Sequence, residues 1–248
     1  MRQETGANNG KNIRAARYNT GRISGTFQSE YINIGTVAQA EKVKFDVQKK
    51  TLFSKEQLRP VVAWLRGEWL GYIPYIDVSR LVYLDEMSVN IGMTRLYGRS
   101  PKGERIVEYV PDVRYKRVSV ISTIRVSGET NPFAYSGTLN GNLFMQYIGE
   151  CVVPSLKPYD ILVMDCLSAH KMKIIAEMVE SVGANVLYLP PYSPDLNPIE
   201  TVFSQVKADL KKLKPRSVVD LCDAISFAFN SITPEQVANH FRNCFCRT

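Results

Sequence analysis

Asp160-Ile161-Leu162-Val163-Met164-Asp165, and further on Tyr188-Leu189-Pro190-Pro191-Tyr192-Ser193-Pro194-Asp195-Leu196-Asn197-Pro198-Ile199-Glu200, bound the stretch from which the fold can be read. The apolar run Ile161 to Met164, flanked by polar residues, suits a strand buried on both faces. Asp165 then stands at its carboxyl end, where open α/β sheets place their ligands. Ser168 can cap a helix whose apolar face is Met172, Ile175, Val179 and Val182, and Gly183 is a good stop. Val186 to Leu189 reads as a second buried strand. A strand–helix–strand crossover makes the two strands parallel neighbours. Pro190, Pro191 and Pro194 stiffen the turn that follows. Asn197 as N-cap and Pro198 at the first position then open a helix that has Glu200 at its third position. Asp165 and Glu200 are thereby expected on one edge of one sheet.

The chain has 248 residues, enough for one sizeable domain with an appendage. At 45% hydrophobic and 22% charged residues it has an ordinary globular composition. It contains no apolar run of about eighteen residues that could span a membrane, and Met1 to Arg17 lacks the apolar core of a secretory signal. Five cysteines form no paired framework, which fits a reducing compartment. Cys244, Cys246 and His240 fall short of the four ligands of a structural zinc site. The net charge is +7. Arg95, Arg99, Lys102, Arg105, Arg114, Lys116 and Arg117 form one basic group, and Lys207, Lys211, Lys212, Lys214 and Arg216 another, so a polyanionic partner is expected.

Residues 1–48 keep no helical or strand period for long, apart from a possible short helix over Gly35 to Asp46, and read as a basic N-terminal arm. Residues 49–77 read as a linker with a short helix from Pro60 to about Leu70, presenting Val62, Leu65 and Trp69, with Trp64 and Trp69 as packing residues. Residues 78–248 read as one domain. Leu81-Val82-Tyr83-Leu84 is a buried strand ending on Asp85-Glu86, the same design as Ile161 to Asp165. Val118 to Val126 alternates as a strand, Ser127-Gly128-Glu129 turns, and Asn131 to Thr138 returns. Gly141 to Leu156 is a helix. After Glu200 the helix runs to about Leu213 with Ile199, Val202, Phe203, Val206, Leu210 and Leu213 inward. Glu200 shares its outer face with Ser204, Lys207 and Lys211. Ser217 caps the next helix, with Val218, Cys222, Ile225 and Phe229 inward, and Thr233-Pro234-Glu235-Gln236 is a capping box for the last. The order predicts an α/β fold: a mixed five-stranded sheet, three strands antiparallel and then two parallel, flanked by helices. That is the ribonuclease H-like arrangement.

If the strands ending at Asp85 and Asp165 are adjacent and parallel, their carboxylates meet, and Glu200 joins them from its helix. Three such carboxylates repel one another unless a cation neutralises them. Oxygen-only ligands suit Mg2+ or Mn2+, and two such ions serve phosphodiester chemistry. Each carboxylate alone has an ordinary structural role: a strand-end turn for Asp85, a capping box for Glu200. Glu86 is expected on the opposite face of its strand. A haloacid-dehalogenase-like phosphatase also places an Asp at a strand end, but it needs a second acid two residues on, where Met87 stands.

The segment from Tyr188 to Glu200 resembles the signature of mariner-like transposases, in particular the bacterial insertion-sequence branch of these DDE superfamily endonucleases. Met164-Asp165, Ala169-His170-Lys171, Leu84-Asp85-Glu86 and Met93-Thr94-Arg95-Leu96-Tyr97-Gly98-Arg99 are similar too, and 34 residues separate Asp165 from Glu200. The resemblance runs from about Lys49 to Phe245. It implies a catalytic and metal-binding triad of Asp85, Asp165 and Glu200, with two Mg2+ or Mn2+ ions. It implies cleavage at transposon ends and transfer of the freed 3′-hydroxyl into target DNA. His170, Lys171 and Cys166 would lie near the site, and Arg95, Arg99, Lys102, Arg105, Lys116, Arg117, Lys207 and Lys211 would contact double-stranded DNA. A homodimer on the DNA, at the nucleoid in the cytoplasm, is implied as well. The chain departs from the family in two places. Cys166 stands where Asn usually follows the second Asp, and residues 1–48 are too short for the family's helix-turn-helix modules. The rival reading from another class is a catalytically weak or inactive remnant that only binds DNA.

Overall fold

Parallel pairing of a long central strand with a short apolar one lies at the middle of the sheet. In the computed structural model, which describes residues 53–110, 117–166 and 173–245, β1 (Leu81–Asn90) pairs antiparallel with β2 (Arg117–Arg125) and parallel with β4 (Ile161–Met164). β3 (Phe133–Ser136) extends the antiparallel side and β5 (Asn185–Tyr188) the parallel side, giving the order β3-β2-β1-β4-β5. This is the mixed sheet expected from the sequence. The expected arm, residues 1–48, lies outside the described residues, as do the suggested helix at 35–46 and Ser168.

Alternation along β1 divides the core into two layers. Leu81, Tyr83, Met87 and Val89 face one side, where α4 (Pro198–Leu213), α5 (Val218–Asn230) and α6 (Pro234–Phe245) supply Val202, Phe203, Val206, Leu221, Ile225 and Phe241. Val82 and Leu84 face the other, against α2 (Gly141–Tyr147) and α3 (Lys173–Glu180). Burying both faces at about 25 cal/mol per Å2 of apolar surface drives the assembly. α1 (Pro60–Tyr72) adds Trp69 to the first layer.

Caps act where the sequence placed them at two of the three C-terminal helices. Ser217 and Asp220 form a reciprocal box on α5, and Thr233 and Gln236 exchange hydrogen bonds at the start of α6. Gly128 takes φ +93° in the β2–β3 turn, the left-handed geometry for which glycine has no steric penalty.

Several expectations need correction. β1 does not end at Asp85; it continues to Asn90, because Glu86 to Asn90 pair with β2 after β4 has stopped at Met164. The expected single helix from Gly141 gives way after Tyr147 to a π-turn over Ile148–Val152 and a 3-10 turn over Val153–Ser155, as Pro154 cannot donate the helical hydrogen bond. Trp64 is 62% exposed, on the outer side of α1, and Leu213 and Val218 are exposed where their helices end and begin. No helix among the described residues is long and apolar enough to cross a membrane.

One buried ion pair joins the two halves of the sheet. Arg125 at the end of β2 donates to Asp160, which stands just before β4, and both side chains are almost fully buried. The paired atoms make further hydrogen bonds: Arg125 Nη2 also donates to Ser155 O (2.9 Å), and Lys157 N donates to Asp160 Oδ2 (2.6 Å). Removing one partner strands the other charge. Asp160→Ala is therefore expected to lower the urea unfolding free energy by about 3–5 kcal/mol, and Arg125→Met with Asp160→Leu to recover most of that loss. A loss below about 1 kcal/mol for Asp160→Ala, the level of a surface pair, would contradict this.

Candidate active site

The parallel register sets the first two carboxylates. β1 and β4 pair Leu81 with Ile161 and Tyr83 with Val163, a constant offset of 80 positions, and Asp85 and Asp165 are also 80 apart. Both lie two residues beyond the last pair, where continuing the same offset sets them opposite each other, and both line the same cavity. α4 crosses that face, held by Ile199, Val202, Phe203 and Val206, and its first turn brings in Glu200. Asp85, Asp165 and Glu200 line one cavity of about 530 Å3, together with Cys166, Asn197 and the proline-rich turn from Leu189 to Pro194.

Burial raises the Glu200 pKa above its ordinary value; Lys207, two turns further along α4, pulls it back, and the negative charge of Asp165 pushes it up further. The Asp165 charge is thus felt at Glu200. Asp85 Oδ1 accepts from Glu86 N (2.7 Å), and its Oδ2 accepts from Asn197 Nδ2 (2.9 Å).

Asn197 is the site residue that sequence reasoning missed. It occupies the N-cap position of α4, as expected, but its side chain makes no cap hydrogen bond. Only 3% exposed, it turns to Asp85 instead, and its Oδ1 is buried without a hydrogen-bond partner. No local signal separates a capping Asn from one that holds a carboxylate. Only its membership in the proline-rich signature pointed to more than a cap.

A divalent cation can be tested against these donors. Three carboxylates and one orphaned amide oxygen are the hard oxygen ligands that Mg2+ and Mn2+ prefer. Among the described residues, no three His, Cys, Asp or Glu side chains stand close enough together to grip an ion as they lie. The donor chemistry fits, and binding requires the carboxylates to draw together.

The remaining expected residues divide. Cys166 lines the cavity, half-buried, with its thiol donating to Leu189 O (3.4 Å). His170, Lys171 and Lys116 lie outside the described residues. Arg95, Arg99, Lys102 and Arg105 are exposed on the long β1–β2 connection. Arg95 shares a cleft with Lys212 and Lys214, so the two basic groups meet there, although Glu108 pairs with Lys214. Lys207 and Lys211 follow Glu200 along α4. Arg117 stands apart: it lines a small cavity with Glu86 and Ser119, on the face opposite Asp85. Of the suggested zinc ligands, Cys244 is buried and His240 meets Gln205, while Cys246 lies outside the described residues.

Comparison with known structures finds the same fold. The Mos1 transposase paired-end complex with left transposon end superposes with a TM-score of 0.66 at 17% identity, over 82% of this chain and 64% of that one. The Mos1 mariner paired-end complex with Mg gives 0.63 at 15% identity, over 82% and 64%. The Mos1 transposase catalytic domain with Raltegravir and Mn gives 0.58 at 14% identity, over 80% and 94%. The chain thus spans about 64% of the longer Mos1 chains and most of the catalytic domain. At these identities the likeness is one of fold. No curated protein matches the sequence significantly. The family model for DDE superfamily endonucleases matches residues 80–222, more than half of the chain and the whole span from β1 to the start of α5, and the chain belongs to that family.

Proposed function

We propose that this chain is a mariner-like DNA transposase of the bacterial insertion-sequence branch. It cleaves phosphodiester bonds at transposon ends and joins the freed 3′-hydroxyl to target DNA. The observation that carries this reading is the cavity that Asp85, Asp165 and Glu200 line together at the end of the β1–β4 pairing, in a chain of the DDE family. Structures of Mos1 with transposon-end DNA, Mg and Mn support it by analogy of fold.

Asp85, Asp165 and Glu200 are assigned as holders of two Mg2+ or Mn2+ ions, which when bound activate an attacking oxygen and stabilise the leaving one at phosphorus. Asn197 fixes one oxygen of Asp85 and leaves the other carboxylates to adjust. Glu200, disfavoured as an anion by burial, must be ionised to act as a ligand, and Lys207 favours that state. Pro190, Pro191 and Pro194 give the cavity a stiff wall. Arg95, Arg99, Lys102, Arg105, Lys207 and Lys211 are assigned to phosphate contacts, and Arg117, on the far face, to a separate stretch of DNA. A homodimer on double-stranded DNA at the nucleoid completes the reading.

Nicking of a supercoiled plasmid tests it. The wild-type chain is expected to nick with Mg2+ or Mn2+ and not with EDTA, and Asp85→Asn, Asp165→Asn and Glu200→Gln to fall to background at unchanged thermal stability. Nicking that survives Asp165→Asn would remove the triad assignment. Salt-sensitive binding without any nicking would favour the binding-only remnant.

Cys166 makes a second expectation. Its thiol is a weak donor and weak acceptor beside Asp165, where an amide could keep the Leu189 bond and still orient the carboxylate. Cys166→Asn is expected to raise nicking, by up to about 10-fold, the low end of what partners of metal ligands contribute. Equal or lower activity at unchanged thermal stability would show that the thiol is not limiting.

A further inference from the structure

α1 lies outside the segment that matches the family, yet it grips the turn that carries the site. Arg66 Nη2 donates to Asp195 Oδ2 (2.7 Å), and Nη1 to Asp195 Oδ1 (3.0 Å) and Ser193 Oγ (2.7 Å). This is a two-pronged guanidinium–carboxylate pair, with both side chains 16% exposed. Gln57, just before α1, donates to Tyr192 O (2.7 Å), and Arg59 lies over the Tyr192 ring.

The turn needs such a hold. Three of its residues from Pro190 to Pro194 are prolines without an N–H to donate, and Tyr192 adopts φ +56°, a left-handed conformation that costs a bulky residue free energy. Its own bonds are short-range: Ser193 Oγ donates to Pro191 O, Leu196 N to Ser193 O and Asn197 N to Pro194 O. Two residues after Asp195, Asn197 donates to Asp85, and three residues later comes Glu200. A link therefore runs from α1 through the Arg66–Asp195 pair, along two residues of backbone to Asn197, and on to Asp85 on the central strand.

We infer that Arg66 is a positioning residue of the active site: through Asp195 it holds the turn that sets Asn197 against Asp85 and Glu200 beside Asp165, so that α1 is a working part of the catalytic unit. The inference rests on the reading of this cavity as the active site. The fork matters, not the charge alone, because a lysine ammonium cannot span both Asp195 oxygens and Ser193 together.

Two measurements on the full chain test it, with Arg66→Ala, Arg66→Lys, Asp195→Asn and the Arg66→Ala/Asp195→Asn pair. In hydrogen–deuterium exchange, Arg66→Ala is expected to speed exchange over residues 192–201 by about 10-fold or more, with β1, β2 and β4 unchanged, since local opening is separate from global unfolding. In plasmid nicking, kcat is expected to fall by about 10–100-fold with KM for DNA unchanged, as misplaced catalytic groups cost rate more than binding. Arg66→Lys should recover only part of either effect, and the double variant should be no worse than Arg66→Ala. If Arg66→Ala fails to fold, Asp195→Asn carries the same comparison. Unchanged exchange over residues 192–201 overturns the inference, as does full rescue by Arg66→Lys. Should the wild-type chain not nick at all, the exchange result still decides the role of Arg66, and the missing activity counts against the transposase reading instead.

Discussion

The parallel register between β1 and β4 is the constraint on which the rest depends. Three paired residues fix an offset of 80 positions, and continuing it past the end of β4 brings Asp85 and Asp165 to the cavity they share. A slip of one residue would turn Asp165 to the face of α2 and α3 and leave a carboxylate among Val82, Leu84 and Met164. The two apolar layers forbid that slip. The register of the site is thus enforced by the core and not by the site itself, which allows the carboxylates to repel one another without disordering the sheet. The buried pair of Arg125, at the end of β2, and Asp160, just before β4, adds a second pin at the opposite end of the sheet.

The site stands on that frame at an electrostatic cost. Glu200 is placed by α4, whose apolar side, with Ile199, Val202, Phe203 and Val206, is buried. Burial and the Asp165 charge both disfavour its ionised form, and Lys207 offsets them only in part. A group held in this way is poised to welcome a cation. Asn197, at the N-cap of the same helix, binds Asp85, and Arg66 in turn holds the turn on which Asn197 sits.

Much of this was legible in the sequence because it follows from periodicity and punctuation. Ile161 to Met164 is a short apolar run that becomes a buried strand, and Pro198 opens α4 as expected. The second expected buried strand, Val186 to Leu189, is instead β5 at Asn185–Tyr188, only half-buried because it is an edge strand, and α3 stops at Glu180, a turn short of Gly183. The end of β1 was not legible, because Glu86-Met87-Ser88-Val89-Asn90 continues on one neighbour only, and which neighbour stops first is a property of the sheet. The role of Asn197 was hidden because capping and carboxylate binding demand the same residue at the same position. Arg66 was hidden for a different reason: 129 positions separate it from Asp195, and nothing local in α1 distinguishes this arginine from a solvated one. The outward placement of Trp64 was missed because helix amphipathicity fixes which residues share a face only when the apolar stripe is clean, and in α1 it is not.

The central claim is that three carboxylates are forced into one cavity at a cost that a divalent cation relieves. Thermal unfolding of the wild-type chain and of Glu200→Gln, with and without Mn2+, tests it most directly. Because the folded pKa of Glu200 is raised, the group's contribution to stability is fully present below the ordinary carboxylate pKa and is lost as pH rises through the folded value. The account therefore predicts that at neutral pH, without metal, Glu200→Gln melts higher than wild type, and that the difference vanishes near pH 4. It predicts that Mn2+ at about 100 times its dissociation constant raises the wild-type Tm by about 5–10 °C, and that Glu200→Gln loses most of that shift. Equal melting temperatures for the two metal-free proteins at neutral pH, together with equal shifts on adding Mn2+, would contradict it.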